Sequence, residues 1–261
     1  MADLASIVND LVAEGDDLDS IVAGLQPDQW RTSTPAPGWT VAHQIAHLRW
    51  TDRASVKAAT DPDAFKEILT QSQSQPNLVD VDAANGARED PAELLATWRE
   101  TRRDIADVLL ATKSGEKLPW FGPPMNAVSM ATARLMETWA HGQDVADGLG
   151  LERTPTDRLK NVAHIAYRAR GFAYMTNNLT PPDSTVYLEL AGPSGELWTW
   201  GDPHDDQSVK GSALDFCLLA VQRRHRNDCD VTANGAEADH WLEIIQAFAG
   251  PPGAKREEAH A

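Results

Sequence analysis

Met130-Ala131-Thr132-Ala133-Arg134-Leu135-Met136-Glu137-Thr138-Trp139-Ala140-His141-Gly142-Gln143-Asp144 lies inside a long helix predicted from about Ala127 to Leu149, with Gly148 and Gly150 as its stop. Glu137 and His141 are four residues apart, so a carboxylate and an imidazole share one helix face, roughly 6 Å apart at Cβ. That face also carries Met130, Ala133 or Arg134, Asp144 and Gly148, so polar groups fall where a bundle helix should be apolar. Burying an ionised Glu there without a partner is expensive, and a metal ion removes that cost. The plainer alternative is a surface Glu-His pair, since E-x3-H is common by chance.

Three further long helices precede this one. Leu4, Ile7, Val8, Leu11, Val12, Leu18, Ile21, Val22 and Leu25 form one stripe of 3.6-residue period, ending before Gln26-Pro27. The connection through Trp30 and Thr34-Pro35-Ala36-Pro37-Gly38 is too proline-rich to be helical. Thr40 then reads as the N-cap of a second helix, with Val41, Ile45, Leu48 and Val56 on one face and His43, His47 and Trp50 on another. From Asp61-Pro62 to Gly86 the chain is polar, and short helical pieces with loop are expected. Asp90, Pro91 and Glu93 mark the start of a third long helix whose buried stripe is Leu94, Leu95, Trp98, Ile105, Val108 and Leu109. The aromatic, proline-rich stretch Leu118 to Pro124 ends it. Four long helices over residues 1–150 predict a helix bundle.

The rest of the chain has a different grammar. A helix is expected from Thr154-Pro155 to about Tyr174, then a β-hairpin from Thr185–Leu190 and Glu196–Trp200 around Gly192-Pro193-Ser194-Gly195. A short strand at Ser208-Val209-Lys210 leads to a helix capped by Ser212. Asp230 to Ala233 is strand-like, and a last helix runs from Glu237 to Phe248 before Gly250-Pro251-Pro252. The expected class is α+β: a bundle over 1–150, a small α+β domain over 151–252 and a disordered tail over 253–261.

The 261 residues include 39 acidic and 23 basic side chains, a formal charge of -16. That field repels phosphate backbones, and the only dense basic stretch, Arg223-Arg224-His225-Arg226, is too short to reverse it, which sets nucleic acid aside as a partner. The first ten residues lack a basic region of the signal-peptide kind, and no apolar run approaches the ~20 residues that span a bilayer. Cys217 and Cys229 have no metal-ligand spacing. A soluble cytoplasmic protein with reduced thiols and no membrane partner is the expectation.

A third metal ligand has to come from another helix, and the second offers His43 and His47, one or both. Two His and one carboxylate would leave an open position, as catalytic rather than structural sites do. Zinc is the first choice for such donors, with nickel or iron admissible.

Pro37-Gly38-Trp39-Thr40-Val41 with Ala46-His47-Leu48, and Glu137-x3-His141-x2-Asp144, resemble the metal-binding domain of the mycothiol-dependent maleylpyruvate isomerases, within the DinB-like superfamily. Val209-Lys210-Gly211-Ser212-Ala213 and Gln222-Arg223-Arg224 are similar to the C-terminal domain of those isomerases. Trp120-Phe121-Gly122-Pro123-Pro124-Met125 through Ala140-His141-Gly142-Gln143-Asp144 looks like a separate metal-binding branch. The resemblance implies a DinB-like four-helix bundle, a metal held by His47, Glu137 and His141, and His43 as a helix-face or supporting residue. It implies an arginine important for activity at Arg223, with Arg224 the alternative, because Gln222 stands where the family more often has Gly. It also implies a mycothiol-type low-molecular-weight thiol and a small-molecule electrophile as partners.

The chemistry is coherent with a thiol isomerase or transferase. A free thiol is only a few per cent thiolate at neutral pH, and a metal with net charge of about +1 after two neutral imidazoles and one carboxylate would favour the thiolate. Arg223 or Arg224 would hold a carboxylate or enolate of the electrophile. Asp144 is the candidate base or supporting partner, set against a solvated Asp near a helix end. The rivals are a metal-dependent hydrolase without a thiol and a non-catalytic ligand-binding protein braced by a closed metal site, with His43 the candidate fourth ligand. His164, His204, His225, His240 and His260 are scattered, and Cys217 reads as a small core residue. The tryptophans of the bundle read as core, with Trp120 and Phe121 as a possible pocket wall, and Trp198 and Trp200 as hairpin packing.

Overall fold

Asp3 accepts a hydrogen bond from the Ser6 N–H at 2.8 Å and starts α1, Leu4–Val22. In this computed structural model, which describes residues 3–203, 206–253 and 255–259, the chain divides into two units, Met1–Arg153 and Thr154–Ala261. α1 stops three residues before the expected Leu25, whose N–H closes a turn onto Val22. Thr40 caps α2, Val41–Thr60. The polar stretch after Asp61 folds into α3, Pro62–Ser74, and α4, Leu78–Gly86. Asp90 accepts from the N–H groups of Ala92 and Glu93 and starts α5, Pro91–Ala111, as its motif predicts. Asn126 accepts from Ser129 N–H at the head of α6, Ala127–Leu149.

The four long helices make the bundle: α1 and α2 each pack against α5 and α6, while α3 and α4 lie against α2. One layer of core joins Leu18, Val22, Trp30, Val41, Ile45, Leu48, Leu94, Trp98 and Val145. A second layer joins Ile7, Val8, Ile105, Leu109, Leu118 and Met130. Trp120 stacks on Phe65 at 5.7 Å and Phe121 on Trp50 at 5.7 Å, so the aromatic loop closes over α3 as a packed cluster.

Gly148 and Gly150 do different things. Gly150 takes the left-handed conformation (φ 67°) that ends α6. Gly148 is still helical, and a Cβ there would meet the Ser33 carbonyl oxygen at 2.8 Å and Thr34 Cα at 3.2 Å. The missing side chain is what lets the 33–34 backbone lie against α6.

In the second unit the expected helix from Thr154 is shorter and broken: α7 is Leu159–Arg168 and α8 is Arg170–Thr176. Asp157, the nearest acidic cap, instead accepts from Ser194 N–H in the hairpin turn. β1, Tyr187–Ala191, pairs antiparallel with β2, Leu197–Trp200, and parallel with β3, Ser208–Ser212, which pairs antiparallel with β4, Val231–Asn234. The order is β2-β1-β3-β4, and Leu188, Leu190, Trp198 and Val209 are among its buried members. Ser212 caps α9, Ala213–Ala220, by accepting from Asp215 N–H. α10, Ala236–Ile244, ends before the expected Phe248 because the chain turns extended at Ile245 and Ala247 N–H bonds to Ala220 O. The described part of the tail, expected to be disordered, is tied to this unit: Gly253 N–H donates to Gln222, and Glu258 accepts from Asn227. The whole is an α+β protein. No helix among the described residues is long and apolar enough to cross a membrane.

Candidate metal centre

α6 presents Glu137 and His141 one turn apart toward α2, from which His47 reaches. Oε2 of Glu137 lies 3.4 Å from His47 Nε2 and 3.3 Å from His141 Nε2, and the two imidazole centroids are 4.5 Å apart. Among the described residues these three side chains are the group whose donor atoms, one from each, all lie within 4.8 Å of one another. Burial alone would push the Glu137 carboxyl up, but hydrogen bonds and charge from His141 and His47 hold it well below the usual carboxylate range. Two imidazole nitrogens and one carboxylate oxygen are a donor set that zinc, nickel or iron accepts. Among the described residues the buried His47 Nδ1 has no hydrogen-bond partner, so none of them commits this ring through Nδ1 to a tautomer that would forbid binding through Nε2. The residues present therefore fit a divalent metal.

Supporting contacts position the three. Arg134, one turn before Glu137, is buried and its Nε donates to Asp52 Oδ1 at 3.0 Å, a side chain of α2 that is also buried. The pair bolts α6 to α2 beside the donor group. Gln44, completely buried, lies 2.5 Å from His141 Nδ1 through its Oε1. Trp39 stacks on His141 at 6.0 Å and lies 5.4 Å from His47, while its Nε1–H donates to Asp80 of α4 at 3.1 Å. Its place is set by the loop before α2, in which Thr34 N–H bonds to Trp39 O and Ser33 bridges Thr40.

His43, one helical turn from His47, is not one of the donors. Its Nδ1 accepts from the Thr40 backbone N–H at 3.2 Å, the reciprocal half of the capping box that starts α2. Burial, with Arg88 adding to it, pulls His43 below the ordinary histidine value. Asp144 is completely buried one turn beyond His141, which corrects the solvated reading. Arg223 and Arg224 follow α9 in the second unit, where Nη1 of Arg223 donates to Val221 O and Nη1 of Arg224 to Arg223 O. Gln222 has φ 59°, the left-handed conformation at a helix end that glycine adopts most readily. His164 accepts from Trp200 Nε1, His225 from Asn227 N–H, and His240 packs edge-on to Tyr174. His204 and His260 lie outside the described residues.

Sequence reasoning passed over Gln44, the Arg134–Asp52 pair and the part played by Trp39. A glutamine between Val41 and Ile45, one turn before a candidate ligand, was the available signal for the first. For the last it was a tryptophan directly before an N-cap.

A four-helix bundle carrying a two-histidine, one-glutamate donor group, followed by a small α+β unit, defines the class of protein. Residues 11–146, more than half of the chain, match the family model described as the mycothiol maleylpyruvate isomerase N-terminal domain. The chain belongs to the mycothiol-dependent maleylpyruvate isomerase-like family. It is 54% identical over 257 residues, 98% of this chain and 100% of theirs, to uncharacterized proteins of two Mycobacterium tuberculosis strains, CDC 1551 and H37Rv. Its fold is similar to the crystal structure of a histidine-to-alanine mutant of the mycothiol-dependent maleylpyruvate isomerase, with TM-score 0.61 and 16% identity over 89% of this chain and 93% of that one. The crystal structure of the mycothiol-dependent maleylpyruvate isomerase itself gives TM-score 0.59 and 15% identity over the same shares, 89% and 93%.

Proposed function

We propose that this protein is a metal-dependent enzyme that uses a low-molecular-weight thiol of the mycothiol type to isomerise, or to add the thiol to, a small electrophilic substrate. The observation that carries the reading is the convergence of His47 Nε2 and His141 Nε2 on one oxygen of Glu137 in a member of this family. His47, Glu137 and His141 would hold the metal, zinc before nickel or iron. When bound, it supplies a positive centre that favours the thiolate form of a thiol. Trp39 lies against both imidazoles and stacks on that of His141.

The thiol has to come from solution. Burial pushes the Cys217 thiol far up, and burial with Asp215 and Asp228 pushes Cys229 up to about 12, so neither supplies a thiolate at neutral pH. Arg223 or Arg224 is proposed to bind the carboxylate or enolate of the substrate. Asp144 is proposed as a positioning partner for the metal-bearing face of α6, since complete burial separates it from solvent as a proton acceptor.

Elemental analysis tests the site. Wild-type protein is expected to carry one equivalent of metal, and His141→Ala to lose it while its circular dichroism stays helical. Full metal content in the variant would sink the assignment. A structure of the metal-loaded protein soaked with a low-molecular-weight thiol is expected to place sulfur on the ion. Undiminished turnover of the substrate when the thiol is omitted would instead assign the site to hydrolysis.

A further inference from the structure

A chain of three hydrogen bonds runs from the loop before α2 to His141. The Thr34 hydroxyl donates to the Trp39 carbonyl at 3.0 Å. With its single proton spent, Thr34 Oγ1 accepts from Gln44 Nε2 at 2.8 Å. Gln44 Oε1 then faces His141 Nδ1 at 2.5 Å and accepts from it. We propose that Gln44 is a positioning residue that holds the proton of His141 on Nδ1 and so fixes Nε2 as the nitrogen that faces Glu137. This rests on the metal reading above and explains how the protein builds one ligand in advance of the ion.

The opposite orientation of the amide is poorer by one bond. Gln44 would donate to Nδ1 only if the Thr34 hydroxyl turned away from Trp39 O to serve the reversed amide oxygen, leaving two bonds in place of three. Trp39 O would keep only the Thr34 backbone N–H, at 2.8 Å. At a completely buried Gln44 no such loss is made good by solvent. The consequence reaches the donor group. Nε2 of His141, 3.3 Å from Glu137 Oε2, is thereby the nitrogen left to face the carboxylate, and a cation placed between them would meet a ring already oriented. His47 differs, because its buried Nδ1 has no partner among the described residues and its tautomer is set by whatever binds Nε2.

The experiment reads the tautomer directly. In metal-free protein at pH 8, the two-bond 1H–15N correlation pattern of His141 is expected to show the proton on Nδ1. Gln44→Leu should abolish that preference, and Thr34→Val, which frees the amide to turn over, should weaken it in a variant that leaves Gln44 in place. Zn2+ affinity, measured by competition with a chelator, is expected to fall about 10–100-fold in Gln44→Leu and by less in Thr34→Val. An unprotonated Nδ1 in the wild type overturns the proposal, as does a tautomer unchanged in both variants. Zn2+ bound equally by wild type and both variants overturns Gln44 while sparing the metal site. A wild type that binds no Zn2+ removes the metal reading, and the tautomer still decides the role of Gln44.

Discussion

At Glu137 burial opposes charge and two imidazoles favour it, and the imidazoles win. The cysteines show the opposite outcome, since nothing offsets burial at Cys217 and two carboxylates reinforce it at Cys229. With Cys229 up to about 12, its thiolate at pH 8 is about one part in ten thousand, and it grows only as pH approaches that value. Iodoacetamide at pH 8 is therefore expected to leave both cysteines of the native protein unmodified and to modify both once guanidinium unfolds it, as intact mass would show. Rapid native labelling of either would contradict the protonated state. At this scale the donor residues were legible, because E-x3-H on one helix and a histidine pair on another are patterns of spacing. Spacing did not separate His43 from His47. That choice came from the Thr40 N–H, which takes the His43 Nδ1 as a cap acceptor.

Helix starts were readable wherever a side chain caps the backbone, as at Asp90, Thr40 and Ser212. Ends and breaks were less so, because they depend on distant partners: Asp157 serves Ser194, and Ala247 leaves the last helix to pair with Ala220. A deeply buried link between elements is the Arg134–Asp52 pair between α6 and α2, with side chains only 1% and 5% exposed. Arg134 Nη2 is already buried without a partner among the described residues, so the pair has no spare hydrogen bonding to absorb damage. Arg134→Met should destabilise the protein by about 3–5 kcal/mol, because an unpaired Asp52 carboxylate would remain buried. The double variant Arg134→Met/Asp52→Leu should recover much of that loss. Urea unfolding of the three proteins measures both, and a single variant within 1 kcal/mol of wild type, on the order of a surface pair, would show that the pair is not a structural bolt.

For the whole molecule, the division at Arg153 places every residue of the donor group and its supports in the first unit. Residues 1–153 alone are expected to unfold cooperatively on heating and to retain one equivalent of metal by elemental analysis, while losing any activity that needs Arg223 or Arg224. A molten, metal-free fragment would show that the first unit depends on the second. By itself the sequence determined the α+β class and the four long helices and offered Glu137, His141 and the His43/His47 pair as candidate donors, because periodicity, capping and i,i+4 spacing are local properties of a chain. Tertiary structure alone decided that Gln44, Thr34 and Trp39 support His141. Their partners lie on α6 and in the loop before α2, and only packing, with Gly148 admitting the 33–34 backbone, brings those groups within hydrogen-bond reach.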